Sequence, residues 1–170
     1  MLRALYSFVF RLALPFVLLQ LWWSGRGSAG LHGNWRERLG WVSPAPAPVV
    51  WVHAVSVGET IAAAPLVNAL LQRHPGCRIL MTAMTATGSA RARALFGDRV
   101  QYAYSPYDTP GAVSRFLDRV RPAALVIMET ELWPNMVGLT EERGIPVVLV
   151  NARLSERSAR GYRRIAGLVH

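Results

Sequence analysis

The sequence has no lysine. All 19 basic residues are arginine, and they face only 10 acidic ones, for a formal net charge of +9. Arginine's planar fork matches phosphate oxygens in pairs, so this balance points to an anionic partner: nucleic acid, a phosphorylated lipid or an acidic membrane face. A GC-rich coding bias explains arginine in place of lysine equally well and leaves the positive excess standing. Nucleic acid is not expected, because the arginines are scattered and no glycine-aromatic signature of single-stranded RNA binding occurs. Cysteine is almost absent too. The lone Cys77 excludes an internal disulfide and gives no reason for a zinc site, so a reduced, cytosol-facing body is the simpler reading. No GxGxxG follows the first expected strand, and neither GxxxxGK nor GxSxG occurs. This argues against a nicotinamide or flavin cofactor, a nucleotide-phosphate loop and a serine hydrolase. No cofactor and no metal are therefore expected. Charged residues make up 17% and apolar ones 52% of the 170 residues, which excludes a disordered polar chain and leaves one globular domain with an appendage.

The appendage is N-terminal. Residues 4–23 are apolar apart from Ser7, Arg11 and Gln20, close to the roughly 20 residues that span a bilayer. Arg11 divides the stretch, and the longest uncharged run, Leu12 to Gly25, has 14 residues, a length more usual for an interfacial helix or a signal-peptide core. Trp22 and Trp23 close it where an aromatic belt would lie, and Arg26, Arg36 and Arg38 follow. That favours a membrane-anchor helix over residues 1–23 with the body on the cytoplasmic side. Spanning and lying in the membrane both stay open. A cleaved signal ending near "GSA" at 27–29 and a buried core helix are the competing readings. Residues 24–48 read as a basic, proline-rich linker ending in "SPAPAP", and the globular domain is expected at 49–170.

From Val49 onward, strand and helix signals alternate five times. The apolar runs "VVWVHAVSV", "CRILMTAMTA", "VQYAYSPYD", "AALVIME" and "IPVVLVNA" are each followed by a helical pattern, the last of them "SERSARGYRRIAGL". Thr109 and Pro110 read as an N-cap and first helical residue, Gly144 as a helix stop, and Pro65 as an early turn or kink. Strands too uniformly apolar to have a wet face predict an α/β fold, a Rossmann-like parallel sheet with helices on both faces. Ligands of such sheets sit beyond the carboxyl ends of the strands. The loops there, "SVGET", "TATGSA", "SPYDTP", "METELWPN" and "NARLSERS", concentrate hydroxyls, carboxylates and glycine, and form the expected working face.

Glu59 stands at the first strand-to-helix junction, after Gly58, which is expected to permit a sharp turn. The helix dipole favours its ionised form, which suits it to take a proton from a hydroxyl nucleophile. A first-turn glutamate that merely stabilises its helix is the other reading. Glu129 and Glu131 are two residues apart at a strand end, so an extended backbone would turn both to one side, with Arg153 in the neighbouring loop as a partner. The structural alternative makes Trp133 core filler, starts a helix at Pro134 and leaves the glutamates to cap it.

Four motifs in this order, "WVHAVSVGE", "TATGSA", "ETELWPN" and "NARLSERS", resemble the N-terminal half of the 3-deoxy-D-manno-octulosonic acid (Kdo) transferases of lipopolysaccharide inner-core synthesis. The resemblance covers almost the whole chain, including the N-terminal apolar segment and "RERLG". It implies the acceptor-binding, N-terminal domain of a two-domain GT-B glycosyltransferase. The implied donor is CMP-Kdo, the acceptor a lipid A precursor (lipid IVA), and the place the cytoplasmic face of a bacterial inner membrane. The implied chemistry is a direct inverting transfer with release of CMP. Glu59 of the SxGE motif matches the general base. Glu129, Glu131, Trp133 and Asn135 match the same cleft, and Ser56, Gly58, Thr85, Thr87, Gly88, Asn151 and Arg153 complete the implied substrate-binding set. The family continues into a second Rossmann-like domain that holds most of the CMP-sugar site. Because the chain stops at His170, an acceptor-side half, inactive alone, is expected. The alternative functions are a non-catalytic, membrane-attached lipid A-binding module and, more weakly, a soluble sugar-nucleotide enzyme such as an epimerase. Oligomeric state is not legible.

Overall fold

A computed structural model describes residues 2–24, 35–44, 48–129 and 133–152; the side chains of Leu2, Val17, Leu18 and residues 20–24 are outside that description. The expected last helix, Glu131 and Arg153 also lie outside it. Five strands form one parallel sheet: β1 (Val49–His53), β2 (Arg78–Ala83), β3 (Gln101–Tyr104), β4 (Ala124–Met128) and β5 (Val147–Val150), in the order β3-β2-β1-β4-β5. The register sets Val52 beside Met81 on one flank and Val126 on the other. Helices α1 (Leu2–Ser24) and α2 (Trp35–Arg38) precede the sheet, while α3 (Val57–Arg73), α4 (Ala86–Phe96), α5 (Pro110–Val120) and α6 (Pro134–Glu141) connect the strands.

Because side chains along a strand alternate between faces, the apolar runs divide into two cores. Val49, Trp51, Leu125 and Ile127 join Val113, Phe116, Leu117 and Val120 of α5 and Met136 and Val137 of α6. Val52, Ile79, Met81, Val126 and Met128 join Ala63 and Val67 of α3 and Ala92 and Phe96 of α4. Helices therefore cover both faces, as the alternation predicts. The α5 stripe, with apolar residues at i, i+3, i+4 and i+7, is a one-sided helix pattern. It sets Phe116 on the Trp51 ring at 4.5 Å between centroids. The expectation of uniformly dry strands fails at the β5 edge, where Val148 and Leu149 are exposed.

Pro65, read as an early turn or kink, lies well inside α3, which runs unbroken from Val57 to Arg73. Gly58 also departs from expectation. Its φ is not positive, and a Cβ there would meet only Ser56 Oγ, at 3.8 Å. The turn therefore does not require glycine.

Part of the stretch read as linker belongs to the fold. Tyr104 N–H donates to Glu37 Oε2 at 2.7 Å, Arg119 Nε donates to the Val42 carbonyl at 2.5 Å, and Val42 is in the core. Gly40 has φ 85°, and a Cβ there would collide with the Ala112 carbonyl oxygen and lie 3.0 Å from Phe116 N. Glycine is what lets this segment press onto α5. Arg38, one of the arginines that follow the apolar segment, is buried: its Nη2 donates to the Met84 carbonyl at 2.8 Å and its guanidinium stacks 4.5 Å from the Tyr104 ring centroid.

The N-terminal helix is not a detached anchor. Ser7 Oγ contacts Asn135 Oδ1 at 3.0 Å, Tyr6 bonds to Asp108, and Arg3 pairs with Glu142 across Gly138, whose missing side chain leaves room for the guanidinium. Arg3, Tyr6 and Ser7 thus face the protein. Leu5, Phe8, Val9, Leu12, Phe16 (74%) and Leu19 are exposed on the other side. This inverts the arrangement of a helix on a water-facing surface. Among the described residues no helix is long and apolar enough to cross a membrane, so the spanning form of the anchor expectation is not supported.

Candidate functional site

The expected site residues follow the carboxyl ends of adjacent strands β2, β1, β4 and β5. After β1, Ser56 has extended dihedrals and N-caps α3, its Oγ accepting from Glu59 N–H at 3.3 Å. The Glu59 side chain folds back so that Oε2 accepts from Val55 N–H at 2.7 Å. Ser-x-x-Glu is a capping-box spacing, here displaced by one residue because the glutamate reaches the amide preceding the cap. Glu59 is only 4% exposed. A carboxylate so placed is fixed in position, and it stabilises the helix start whatever else it does.

After β2, Thr85 N-caps α4 by accepting from Gly88 N–H at 3.0 Å, and Thr87 Oγ1 donates to Thr85 Oγ1 at 3.2 Å. A Cβ on Gly88 would lie 3.0 Å from Thr85 Oγ1 and 3.4 Å from the Val55 carbonyl. Gly88 therefore lets the second loop sit directly on the first, beside Glu59's own hydrogen-bond donor. Three residues read as ligand contacts, Ser56, Thr85 and Gly88, thus have demonstrable local structural work.

After β4 and β5, Glu129 and Asn151 both take left-handed backbone, with φ 62° and 57°. This strains a glutamate more than an asparagine. Glu129 N–H still donates to the Val150 carbonyl at 2.8 Å, so the two ends remain paired. The extended geometry expected to carry Glu129 and Glu131 to one side is absent at Glu129. Such off-region backbone concentrates at functional sites, and here it ends two neighbouring strands at the rim that carries Glu59.

Asn135 is turned inward. It is buried and donates from N–H to Asp108 Oδ2 at 3.0 Å and from Nδ2 to the Asp108 carbonyl at 2.6 Å. Asp108 Oδ1 accepts Met136 N–H at 2.7 Å. Trp133, the α6 N-cap, makes no side-chain capping bond, so a carboxylate from another loop satisfies the first amides of that helix. Burial pushes the Asp108 carboxyl above its ordinary range, opposed by those two amides, the Tyr6 hydroxyl and the Arg3 charge. Tyr6 is raised in turn by burial first and by Asp108 second.

A further buried group escaped sequence reading. His53 Nδ1 lies 3.0 Å from Thr82 Oγ1, which also accepts from Trp51 Nε1 at 2.8 Å; its ring meets Trp133 edge-on at 5.8 Å. Burial lowers the imidazole to about 4, so it is neutral near pH 7, and Nε2 has no partner among the described residues. Trp133 packs partly buried against the core, as the structural reading of that loop anticipated.

A rim with fixed carboxylate, capped helix starts and strained strand ends is a site-bearing α/β edge, and comparison with known proteins says of which kind. Residues 33–170 match the model of a family described as 3-deoxy-D-manno-octulosonic-acid transferase (kdotransferase). The match thus takes in the Trp35–Val42 segment that packs on the sheet. The chain is 43% identical over 171 aligned positions to a 3-deoxy-D-manno-octulosonic acid transferase of Bordetella pertussis, covering 93% of this chain. It is 40% identical over 166 positions to one of Haemophilus influenzae, covering 96%. A probable mitochondrial 3-deoxy-D-manno-octulosonic acid transferase of Arabidopsis thaliana is 35% identical over 85% of the chain. The chain spans 39% of the length of the two bacterial relatives and 33% of the plant one. The chain belongs to the 3-deoxy-D-manno-octulosonic-acid transferase family.

Proposed function

We propose that the protein carrying this segment transfers Kdo from CMP-Kdo to a hydroxyl of a lipid A precursor, lipid IVA, at the cytoplasmic face of a bacterial inner membrane. This segment supplies the acceptor side of a GT-B cleft. Glu59 is the general base. The acceptor oxygen attacks the anomeric carbon as its bond to the CMP phosphate breaks, the proton passes to the Glu59 carboxylate, and CMP departs with the bonding electrons, inverting that carbon. No covalent enzyme intermediate is required. The observation that supports this reading is the position of Glu59: a carboxylate on the working rim whose Oε2 is held by Val55, leaving Oε1 as the atom to receive the proton. A base so fixed needs no reorganisation at the moment of reaction. Glu129 and Asn151, strained on the same rim, would contact substrate, together with Ser56, Thr85 and Thr87. Membrane attachment would come from the outward apolar face of α1, lying in the interface rather than crossing it.

The capping role of Glu59 supports a second reading, a lipid A-binding module without catalysis, because the helix start alone is reason for a glutamate there. Glu59→Gln in the full-length protein separates the two. Glutamine keeps an oxygen to accept from Val55 and cannot take a proton. With CMP-Kdo and lipid IVA, turnover is expected to fall on the order of 10²–10⁴-fold while thermal stability stays near wild type. Unchanged turnover would remove Glu59 as the base, and absence of Kdo transfer by the wild-type protein would favour the module. Residues 1–170 tested alone are expected to bind the acceptor without transferring sugar.

A further inference from the structure

Under α1, Arg3, Ala4, Phe8 and Arg11 face Pro110 and Leu139 across an open cavity of about 400 Å³. Its charges are of two kinds. Arg3 is tied to Glu142 through Nη2, and the buried Asp108 carboxylate, which influences Arg3, is already satisfied by the α6 amides and Tyr6. Arg11 is exposed and has no ion pair among the described residues. The two arginines stand eight residues apart on one helix, about 12 Å along its axis between their backbone positions, and both line this cavity. Beside this basic mouth runs the exposed stripe of Leu5, Phe8, Val9, Leu12, Phe16 and Leu19. An isolated phosphate would use the arginines and leave the stripe wet, whereas an amphiphile would use both.

We propose that this cavity is a headgroup site for a phosphate-bearing membrane phospholipid. The phosphate lies against the Arg11 guanidinium, in the bidentate geometry guanidinium favours, with the paired Arg3 adding charge to the same lining, and the acyl chains lie along the outer face of α1. The proposal rests on the reading of α1 as a membrane-interface helix and adds a chemical preference to it. The cavity reaches Asn135 at the start of α6 and does not include Glu59.

The test is sedimentation of the protein with vesicles of phosphatidylcholine alone, or of phosphatidylcholine with phosphatidylglycerol, at constant ionic strength. Wild type is expected to prefer the anionic vesicles, and Arg11→Gln to lose about five-fold in affinity for them, the worth of one arginine near such a surface. Ala4→Phe fills the cavity without changing charge, and it is expected to lose the same preference while still sedimenting with phosphatidylcholine. Diffuse surface attraction predicts no such loss, so an Ala4→Phe protein with wild-type preference overturns the site; Ala4→Leu repeats the test if the larger side chain disturbs α1. Titration with inorganic phosphate is expected to show no binding of comparable strength, and tight phosphate binding would overturn the lipid assignment. Equal binding to both vesicle types removes the headgroup site and leaves membrane attachment intact, whereas binding to neither removes the attachment and the site with it.

Discussion

Asn135 donates twice to Asp108, from its backbone to Oδ2 at 3.0 Å and from its side chain to the carbonyl at 2.6 Å. With Met136 N–H on Oδ1 at 2.7 Å, one buried aspartate closes the start of an eight-residue helix that has no cap of its own. Asp108→Ala would strand two buried amides. At about 1–3 kcal/mol for each unsatisfied group, a loss of roughly 2–6 kcal/mol is expected in denaturant unfolding. Asp108→Asn keeps one acceptor and should lose about half as much.

The same pair shows where sequence reading stops. Asn135 was legible as a residue of a rim loop, and Asp108 stood in "SPYDTP" without distinction, because nothing in either loop says that they meet. The alternation of strand and helix signals announced the two cores, since the inner strands β2, β1 and β4 are buried on both faces. Local caps such as Thr109 and Pro110 are also readable, because partner and donor are three residues apart. The buried Arg38, the long-range cap by Asp108 and the inverted face of α1 depend on contacts between distant segments. In each case a charged or apolar residue has the opposite exposure from its type's average. Glu129 failed for a different reason: its positive φ breaks the two-residue periodicity on which the inference from spacing rested.

Gly40→Ala tests the close approach of the Trp35–Val42 segment to α5. The new methyl group meets backbone atoms of Ala112 and Phe116 that cannot swing aside, at a φ of 85° that non-glycine residues rarely adopt. Steric and dihedral strain together should destabilise by about 2–4 kcal/mol. Gly58→Ala, with open space and ordinary φ, is expected to change stability by less than about 1 kcal/mol, in the stabilising direction if anything. Thermal melting of the two variants ranks them.

Ser56→Ala removes the hydroxyl that accepts from Glu59 N–H and should cost about 1 kcal/mol. Glu59→Ala removes the reciprocal bond to Val55 and should cost a similar amount. Because both close one helix start, the double variant should fall short of or exceed the sum by about 0.5 kcal/mol or more. Strict additivity in a double-mutant cycle would mean that the two bonds act independently.

Thr82→Val is nearly isosteric and should not behave so. Thr82 Oγ1 serves both Trp51 Nε1 at 2.8 Å and His53 Nδ1 at 3.0 Å in a dry core. Valine leaves two buried ring nitrogens without that partner, for an expected loss of about 2–4 kcal/mol. A loss below about 1 kcal/mol would show that the rings find other partners.

His53 gives the fold a signed pH dependence. Burial holds the imidazole at about 4 in the folded protein, below the ordinary value of 6.5. Between those values the unfolded chain binds a proton that the folded one refuses, so stability from this group is full above about 6.5 and is lost as pH falls toward 4. The slope is about 1.4 kcal/mol per pH unit, roughly 3 kcal/mol across the window. Asp108 runs the other way: its folded carboxyl is raised by burial, so its contribution is full in acid and is lost as pH rises through the elevated value. The two slopes separate by variant. Denaturant midpoints taken from pH 7.5 down to 4.5 should fall steeply in the wild type and less steeply in His53→Gln, which carries no proton to gain. Asp108→Asn should steepen the acid loss by removing the opposing group. A His53→Gln profile parallel to wild type would mean that the imidazole takes up its proton in the folded state, with water or a rearranged loop reaching Nε2.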